Sequence, residues 1–124
     1  VPAISAADLV LPAPTEGSAE VRVRVAAARE RQRARFVALG AKGVRTNADC
    51  SATLLEQTAM PDEAGVALLR HAAETLGLSA RGFHRTLKVA RTIADLESSE
   101  TVSRAHIAEA LSCRGETLRQ ARAA

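Results

Sequence analysis

The stretch GLSARGFHRTLKVARTIADL, residues 77–96, combines a helix start signal, an apolar stripe and a basic face. The hydroxyl of Ser79 suits an N-cap, because it can accept a hydrogen bond from an unpaired amide of the first helical turn. Gly77 can end the preceding helix, since glycine adopts the left-handed conformation that such ends require. We therefore predict that a helix begins at about Ala80.

At roughly 100° per residue, the side chains of this predicted helix separate into two faces. The apolar face contains Phe83, Leu87, Ala90 and Ala94, and is widened by Val89, Ile93 and Leu96. The opposite face contains Arg81, His84, Arg85, Lys88, Arg91 and Asp95. Most helices of this kind pack their apolar face into the core and leave the charged face in water. The alternative is that some of these cations face a phosphate group.

The composition predicts a single all-α domain. The chain has 124 residues, of which 47% are hydrophobic, yet it contains only two Phe and no Tyr or Trp, so its core must be aliphatic. Its many alanines and arginines, with only four prolines, favour helices. The net charge of +3 permits binding to a polyanion without requiring it.

Cysteine usage and hydropathy indicate a cytoplasmic, soluble chain with no membrane partner. Cys50 and Cys113 lack any metal-ligand spacing and are expected to be reduced structural thiols. There is no signal peptide and no apolar run of 18 residues. Because the chain begins with Val1 rather than Met, we expect it to be a fragment of a longer protein.

The positions of proline, glycine and apolar residues divide the chain into an extended lead-in (1–17), a helical domain (18–114) and a tail that is frayed or helical (115–124). Predicted helices cover about 18–39, a short segment ending near Met60, a third helix starting at Pro61, the helix from Ala80, and about 103–113. The residues predicted to face the core are Val21, Val25, Ala28, Phe36 and Leu39 in the first helix, Val66, Leu69, Ala73 and Leu76 in the third, and Ile107, Ala108 and Leu111 in the last. We predict a small bundle of four to five helices.

The chain lacks the motifs of a complete active site. It has no GxxxxGK[ST] phosphate loop, no GxGxxG and no HExxH. The chemistry that remains is cationic. Arg81 is predicted in the first turn of its helix, where free amides and the helix dipole already favour an anion, and Arg85 follows one turn later. Lys88, His84 and Arg91 are further candidates for phosphate or nucleic-acid contacts, and no metal site is predicted.

Two other interpretations of the basic residues remain open. The third and fourth predicted helices resemble a helix-turn-helix, with Ala73, Gly77 and Phe83 at the small, turn and apolar positions, so that the basic face would read DNA. The first predicted helix carries six arginines against two glutamates, and this cluster would be a solvated face, a subunit contact or a DNA contact. The second interpretation of the domain as a whole is an interaction module whose basic faces only meet acidic neighbours.

Three segments together resemble one protein family: ARERQRARF (28–36), LSARGFHRTLKVARTIADLE (78–97) and HIAEALSCR (106–114). They are similar to the C-terminal lid domain of the magnesium-chelatase-like AAA+ ATPases of bacteria, the ComM/YifB competence protein group. The resemblance covers about residues 18–114. The chain departs from the family pattern at Phe83 and Cys113, where tyrosine is common.

This resemblance implies an AAA+ type helical lid that follows a P-loop ATPase core, in a protein that forms a ring, a hexamer. The full-length protein would be an ATPase that uses ATP with Mg²⁺, whereas the fragment alone would hold neither and would not be an enzyme. The position that matches the sensor-2 arginine of such lids, which contacts the γ-phosphate, is Arg81, and Arg85 is the next candidate. The implied partners are the protein's own ATPase core and the neighbouring subunits of the ring. DNA is a further implied partner, because the ComM-like members are associated with DNA branch migration during natural transformation.

Overall fold

Five α-helices account for most of the chain in the computed structural model, which describes residues 17–123, with side chains described for 17–113. They are α1 (Ser18–Ala38), α2 (Ala52–Thr58), α3 (Glu63–Leu76), α4 (Ala80–Leu96) and α5 (Arg104–Ala123). A 3₁₀ turn, Asn47–Asp49, lies between α1 and α2. Within 17–123 the only extended pairing is an isolated bridge between Pro61 and Val102. The predicted all-α bundle is confirmed.

Helix α4 lies at the centre of the bundle, where it contacts α5, α1, α2 and the 3₁₀ turn. Its start is as predicted: the Ser79 hydroxyl accepts a hydrogen bond from the Gly82 amide at 3.0 Å. Gly77 ends α3 in the left-handed conformation, with φ of 63°. Only Leu78 separates these two signals, so the chain passes from α3 into α4 within a short turn.

The core is aliphatic, and each helix contributes to it. Its fully buried members include Leu55, Leu69, Leu87, Ala90, Ala94, Val102 and Ile107, together with Phe36 from α1. Burial of such side chains supplies about 25 cal/mol per Å² of apolar surface removed from water, so the bundle is held mainly by this cluster.

Helix α1 follows the predicted stripe only in its C-terminal half. Ala28 and Phe36 are buried, and Gln32, which interrupts the apolar stripe in the sequence, is buried as well. Val21 and Leu39 were predicted to face the core, and this is wrong: they are 39% and 49% exposed. Val21 lies before the part of α1 that is buried, Ala28 to Phe36, and Leu39 lies just after the last helical residue.

Two smaller predictions about inward-facing residues are also wrong. Leu76, in the last turn of α3, is 53% exposed, because the helix ends at Gly77 before another element covers it. Ala108 of α5 is exposed, whereas Ala110, two residues later, is buried. Helix α5 continues to Ala123, into the segment that was predicted to be a frayed or helical tail. The predicted extended lead-in falls almost entirely on residues 1–16, which lie outside the described part of the chain.

The start of α3 is fixed by two hydrogen bonds of Asp62. Asp62 caps α3 by accepting from the Gly65 amide at 2.7 Å, and the Asp62 amide donates to the Val102 carbonyl at 2.9 Å. Pro61 therefore precedes the cap and is not in the first turn as predicted. These bonds hold the start of α3 beside the start of α5.

Candidate anion-binding groove

An open groove of about 710 Å³ lies beside the first turns of α4. The exposed side of these turns forms one wall of the groove. Arg81, His84, Arg85 and Lys88 line this wall. The opposite wall comes from the 3₁₀ turn and α2 and consists of Ala48, Cys50, Ala52 and Leu55. The structure thus brings four of the five predicted contact residues together, and it places them in a recess rather than on a flat face.

Arg81 lies at the end of the groove where α4 begins. Ala80 is the first helical residue, so the Arg81 guanidinium extends from the first turn. Ser79 satisfies the Gly82 amide, and the positive end of the helix dipole adds to the charge of the guanidinium. Arg81 and Arg85 are both exposed, and four residues apart they lie on the same side of the helix. An anion in the groove can therefore meet two guanidinium groups.

Lys88 connects the two walls. Its ammonium donates a hydrogen bond to the backbone carbonyl of Ala48 at 3.1 Å. An ammonium group has three donors, so this bond leaves others for a ligand. His84 is half-buried, and its ring meets the edge of Phe83 with centroids 5.9 Å apart. Lys88 and His84 thus each contact a neighbouring residue at the groove, Ala48 and Phe83 respectively.

The lining of the groove contains no carboxylate. The acid next to it in sequence, Asp49, accepts hydrogen bonds from the backbone amides of Arg45 and Thr46 at 3.1 and 3.3 Å. Burial raises the pKa of the Cys50 thiol, so this lining residue is neutral at physiological pH. The charged side chains of the groove, Arg81, Arg85 and Lys88, are therefore all cationic, which favours an anion.

Arg91, predicted as a further contact for phosphate or nucleic acid, is not available to a ligand. It is 3% exposed, and its guanidinium donates to the carbonyls of Ser99 at 2.6 Å and Glu100 at 2.8 Å, and to Asp95 at 2.9 Å. Asp95 is 1% exposed. The assignment of Arg91 and Asp95 to the solvated face is wrong, because the chain after α4 folds back over this part of the helix.

Asp95 is the centre of a buried polar cluster next to the groove. Arg35 of α1 donates to both carboxylate oxygens, and the Asn47 amide donates to Oδ2 at 3.0 Å. Gln32 completes the cluster by accepting from the Asn47 backbone amide at 3.0 Å. Burial raises the pKa of the Asp95 carboxyl, but hydrogen bonds from Arg35 and Asn47 and the nearby arginine charges outweigh it, so the pKa lies below its usual value.

Sequence reasoning missed the second wall of the groove and this cluster. The spacing of Arg91 and Asp95, four residues apart, was a signal for an ion pair along one helix face. Gln32, inside an apolar stripe, was a signal for a buried polar contact. Nothing in the sequence pairs either signal with Asn47, since that contact depends on how the loop after α1 folds.

The described part of the chain includes no group of three His, Cys, Asp or Glu side chains that could hold a metal ion. Among these same residues, no helix is both long and apolar enough to cross a bilayer.

Comparison with known proteins supplies the family. The profile of the family described as "Magnesium chelatase, subunit ChlI C-terminal" matches residues 15–114, well over half of the chain. The chain belongs to this family. The matched region contains every residue of the groove and of the Asp95 cluster, so both lie within the family's domain.

Relatives with similar sequences agree with this assignment. "Competence protein ComM" of Haemophilus influenzae is 39% identical over 70 residues, which are 56% of this chain and 14% of that protein. "Uncharacterized protein YifB" of Salmonella typhimurium is 59% identical over 39 residues, 32% of this chain and 8% of that protein. An uncharacterized protein of Mycobacterium bovis is 42% identical over 72 residues, 58% of this chain and 14% of that protein. The chain thus matches only a small part of each relative's length.

Proposed function

We propose that this domain is the helical lid of a magnesium-chelatase-like AAA+ ATPase, and that Arg81 acts as its sensor-2 arginine on the γ-phosphate of ATP. The observation that carries the proposal is the groove itself: Arg81 and Arg85 lie together at the start of α4, in a lining with no carboxylate. The membership in the magnesium chelatase C-terminal family supports the same role.

In this role the domain supplies charge and position. Phosphoryl transfer depends largely on placing cations around the phosphate oxygens, so a guanidinium brought in by a moving domain can switch hydrolysis on and off. Arg81 reaches the terminal phosphate and Arg85 supports it, while Lys88 keeps the 3₁₀ turn against α4. The Mg²⁺ ion and the phosphate loop belong to the ATPase core, and the lid reports nucleotide state to neighbouring subunits of a hexameric ring.

The substrate of the full-length protein is part of the same proposal. One relative is named a competence protein. We place this chain with that group, whose ring would move DNA branches during natural transformation in the cytoplasm. In this assembly the lid need not touch DNA, because its part is to complete the nucleotide site.

The packing of α4 favours this lid over a helix-turn-helix. A recognition helix must project its side chains into a major groove. Here α4 contacts three other helices and the 3₁₀ turn, and the basic residues of its first turns face a recess closed on one side by Ala48 and Ala52. Such a recess suits a compact phosphate better than a DNA duplex.

The proposal is tested by titrating the ¹⁵N-labelled chain with inorganic triphosphate. We expect the largest shifts in the backbone amides of residues 80–88 and in the side-chain signals of Arg81 and Arg85, with the shifts removed in an Arg81→Ala, Arg85→Ala variant. A parallel titration with a short DNA duplex examines the alternative. Tight duplex binding through the α4 residues, with no response to triphosphate, would overturn the proposal.

A further inference from the structure

A second depression, of about 660 Å³, lies between the C-terminal turns of α1 and the loop formed by residues 40–46. It shares no lining residue with the groove at Arg81. Its floor is apolar and consists of Phe36, Val37, Ala41 and Val44. We call it the Val37 groove, because Val37 is 70% exposed within it.

The shape of the Val37 groove is fixed by the way α1 ends. Gly40 adopts the left-handed conformation, with φ of 67°, and its amide donates to the Val37 carbonyl at 3.0 Å. The Ala41 amide donates to the Phe36 carbonyl at 2.9 Å, which completes a Schellman motif. Ala41 and Val44 pack against the core cluster that contains Phe36. The loop is therefore anchored at both points where it borders the groove.

The rim of the Val37 groove is cationic. Arg29, Arg33, Lys42 and Arg45 border it, and no acidic side chain does. Arg33 is paired with Glu30 at 2.7 Å on the exposed surface of α1. In the described part of the chain, no hydrogen bond or ion pair engages the side chains of Arg29, Lys42 or Arg45. An apolar floor thus lies beside Arg29 and Lys42, which have no counter-charge among the described residues, and beside Arg45, whose charge also acts on the Asp49 carboxylate.

We propose that the Val37 groove binds a peptide segment of a protein partner in which an aliphatic residue is flanked by Asp or Glu. The aliphatic side chain covers Val37 and Val44, and the carboxylates meet Arg29, Lys42 and Arg45. Single-stranded nucleic acid is the weaker fit, because its bases bind by stacking on open aromatic faces, and Phe36, the aromatic residue of this groove, is 1% exposed. An isolated anion would make no apolar contact with the exposed Val37 side chain, so Val37 would add nothing to its binding free energy.

The test is a selection of random twelve-residue peptides displayed on phage against the immobilised 124-residue chain. We expect the enriched peptides to carry an aliphatic residue between acidic residues. A synthetic copy of the most enriched peptide, labelled with fluorescein, is then titrated with the chain and three variants. Val37→Glu is expected to weaken its binding about tenfold or more, since it removes the apolar contact and repels the carboxylates. Arg29→Glu should weaken binding by several-fold.

Val23→Glu is the matched control. Val23 lies on the same helix and is also 70% exposed, but it does not border the groove. The proposal predicts that this variant binds the peptide as the parent chain does, at about 50 mM and about 150 mM salt alike. The proposal is overturned if no acidic-aliphatic sequence is enriched, if Val37→Glu and Val23→Glu bind equally, or if the selected peptide shifts the signals of Arg81 and Arg85 instead. Because the two grooves share no lining residue, this result does not depend on triphosphate binding.

Discussion

The carboxylate of Asp95 in α4 is held by both terminal nitrogens of the Arg35 guanidinium in α1, sixty residues earlier in the chain. The same carboxylate accepts from Asn47 in the 3₁₀ turn, and that turn carries Ala48, the residue to which Lys88 donates. The Asp95 cluster therefore joins α1, the 3₁₀ turn and α4, and it positions the second wall of the anion-binding groove.

Replacing Asp95 should destabilise the domain strongly. Asp95→Asn removes the counter-charge of Arg91, whose side chain is 3% exposed, and breaking a buried pair in this way costs about 3–5 kcal/mol. The free energy of unfolding, measured by urea titration followed by circular dichroism at pH 7, checks this value. Glu30→Gln is the control, because it removes an exposed ion pair with Arg33 and should leave stability nearly unchanged. Equal effects of the two substitutions would contradict the assigned role of Asp95.

Acid should weaken the same cluster. The pKa of Asp95 is lowered in the folded state, so its contribution to stability is complete above the pKa of an unfolded aspartate, about 3.9, and is lost as the pH falls through the lower folded value. Melting temperatures measured from pH 7 to about pH 2.5 should fall more steeply for the parent chain than for Asp95→Asn. Some acid sensitivity will remain in the variant, because hydrogen bonds from the backbone amides of Arg45 and Thr46 lower the pKa of Asp49 too. Parallel curves would show that Asp95 does not titrate as described.

Gly65 should not tolerate a methyl group. A Cβ there would lie 2.7 Å from the Cβ of Pro61 and 3.0 Å from the capping oxygen of Asp62. Gly65→Ala is therefore expected to cost about 1–3 kcal/mol, although alanine is the better helix former. Gly17→Ala, where no atom of the described residues lies within 4 Å of the added atom, should cost less. Thermal melts of both variants test this, and a more stable Gly65→Ala chain would refute it.

The start of α4 could be predicted from the sequence because its signals are local. Ser79 and Gly77 act through bonds to residues at most a few positions away. The role of Arg91 could not be predicted in the same way. Its helical position placed it with Arg85 and Lys88, but its partners Ser99 and Glu100 come from the chain that turns back after Ser98, which has a left-handed φ of 60°.

The candidate site, like the fold, could be predicted from the sequence only in part. Arg81 and Arg85 follow from helix periodicity, which fixes one wall of the groove. The other wall depends on tertiary contacts between α4 and residues 47–55, and these rest on the Asn47 and Lys88 hydrogen bonds. A periodic pattern gives the direction of a side chain but not the surface that it faces.

The most direct measurement is the rate of ATP hydrolysis by the full-length protein carrying Arg81→Ala. If Arg81 contacts the γ-phosphate, turnover at saturating ATP should fall on the order of 10²-fold, while circular dichroism of the isolated domain stays unchanged. Arg70→Ala, which removes an exposed arginine of α3 that does not border the groove, should hydrolyse ATP at the parent rate. Unchanged turnover together with unchanged nucleotide affinity in Arg81→Ala would contradict the assignment of Arg81 to the ATP site.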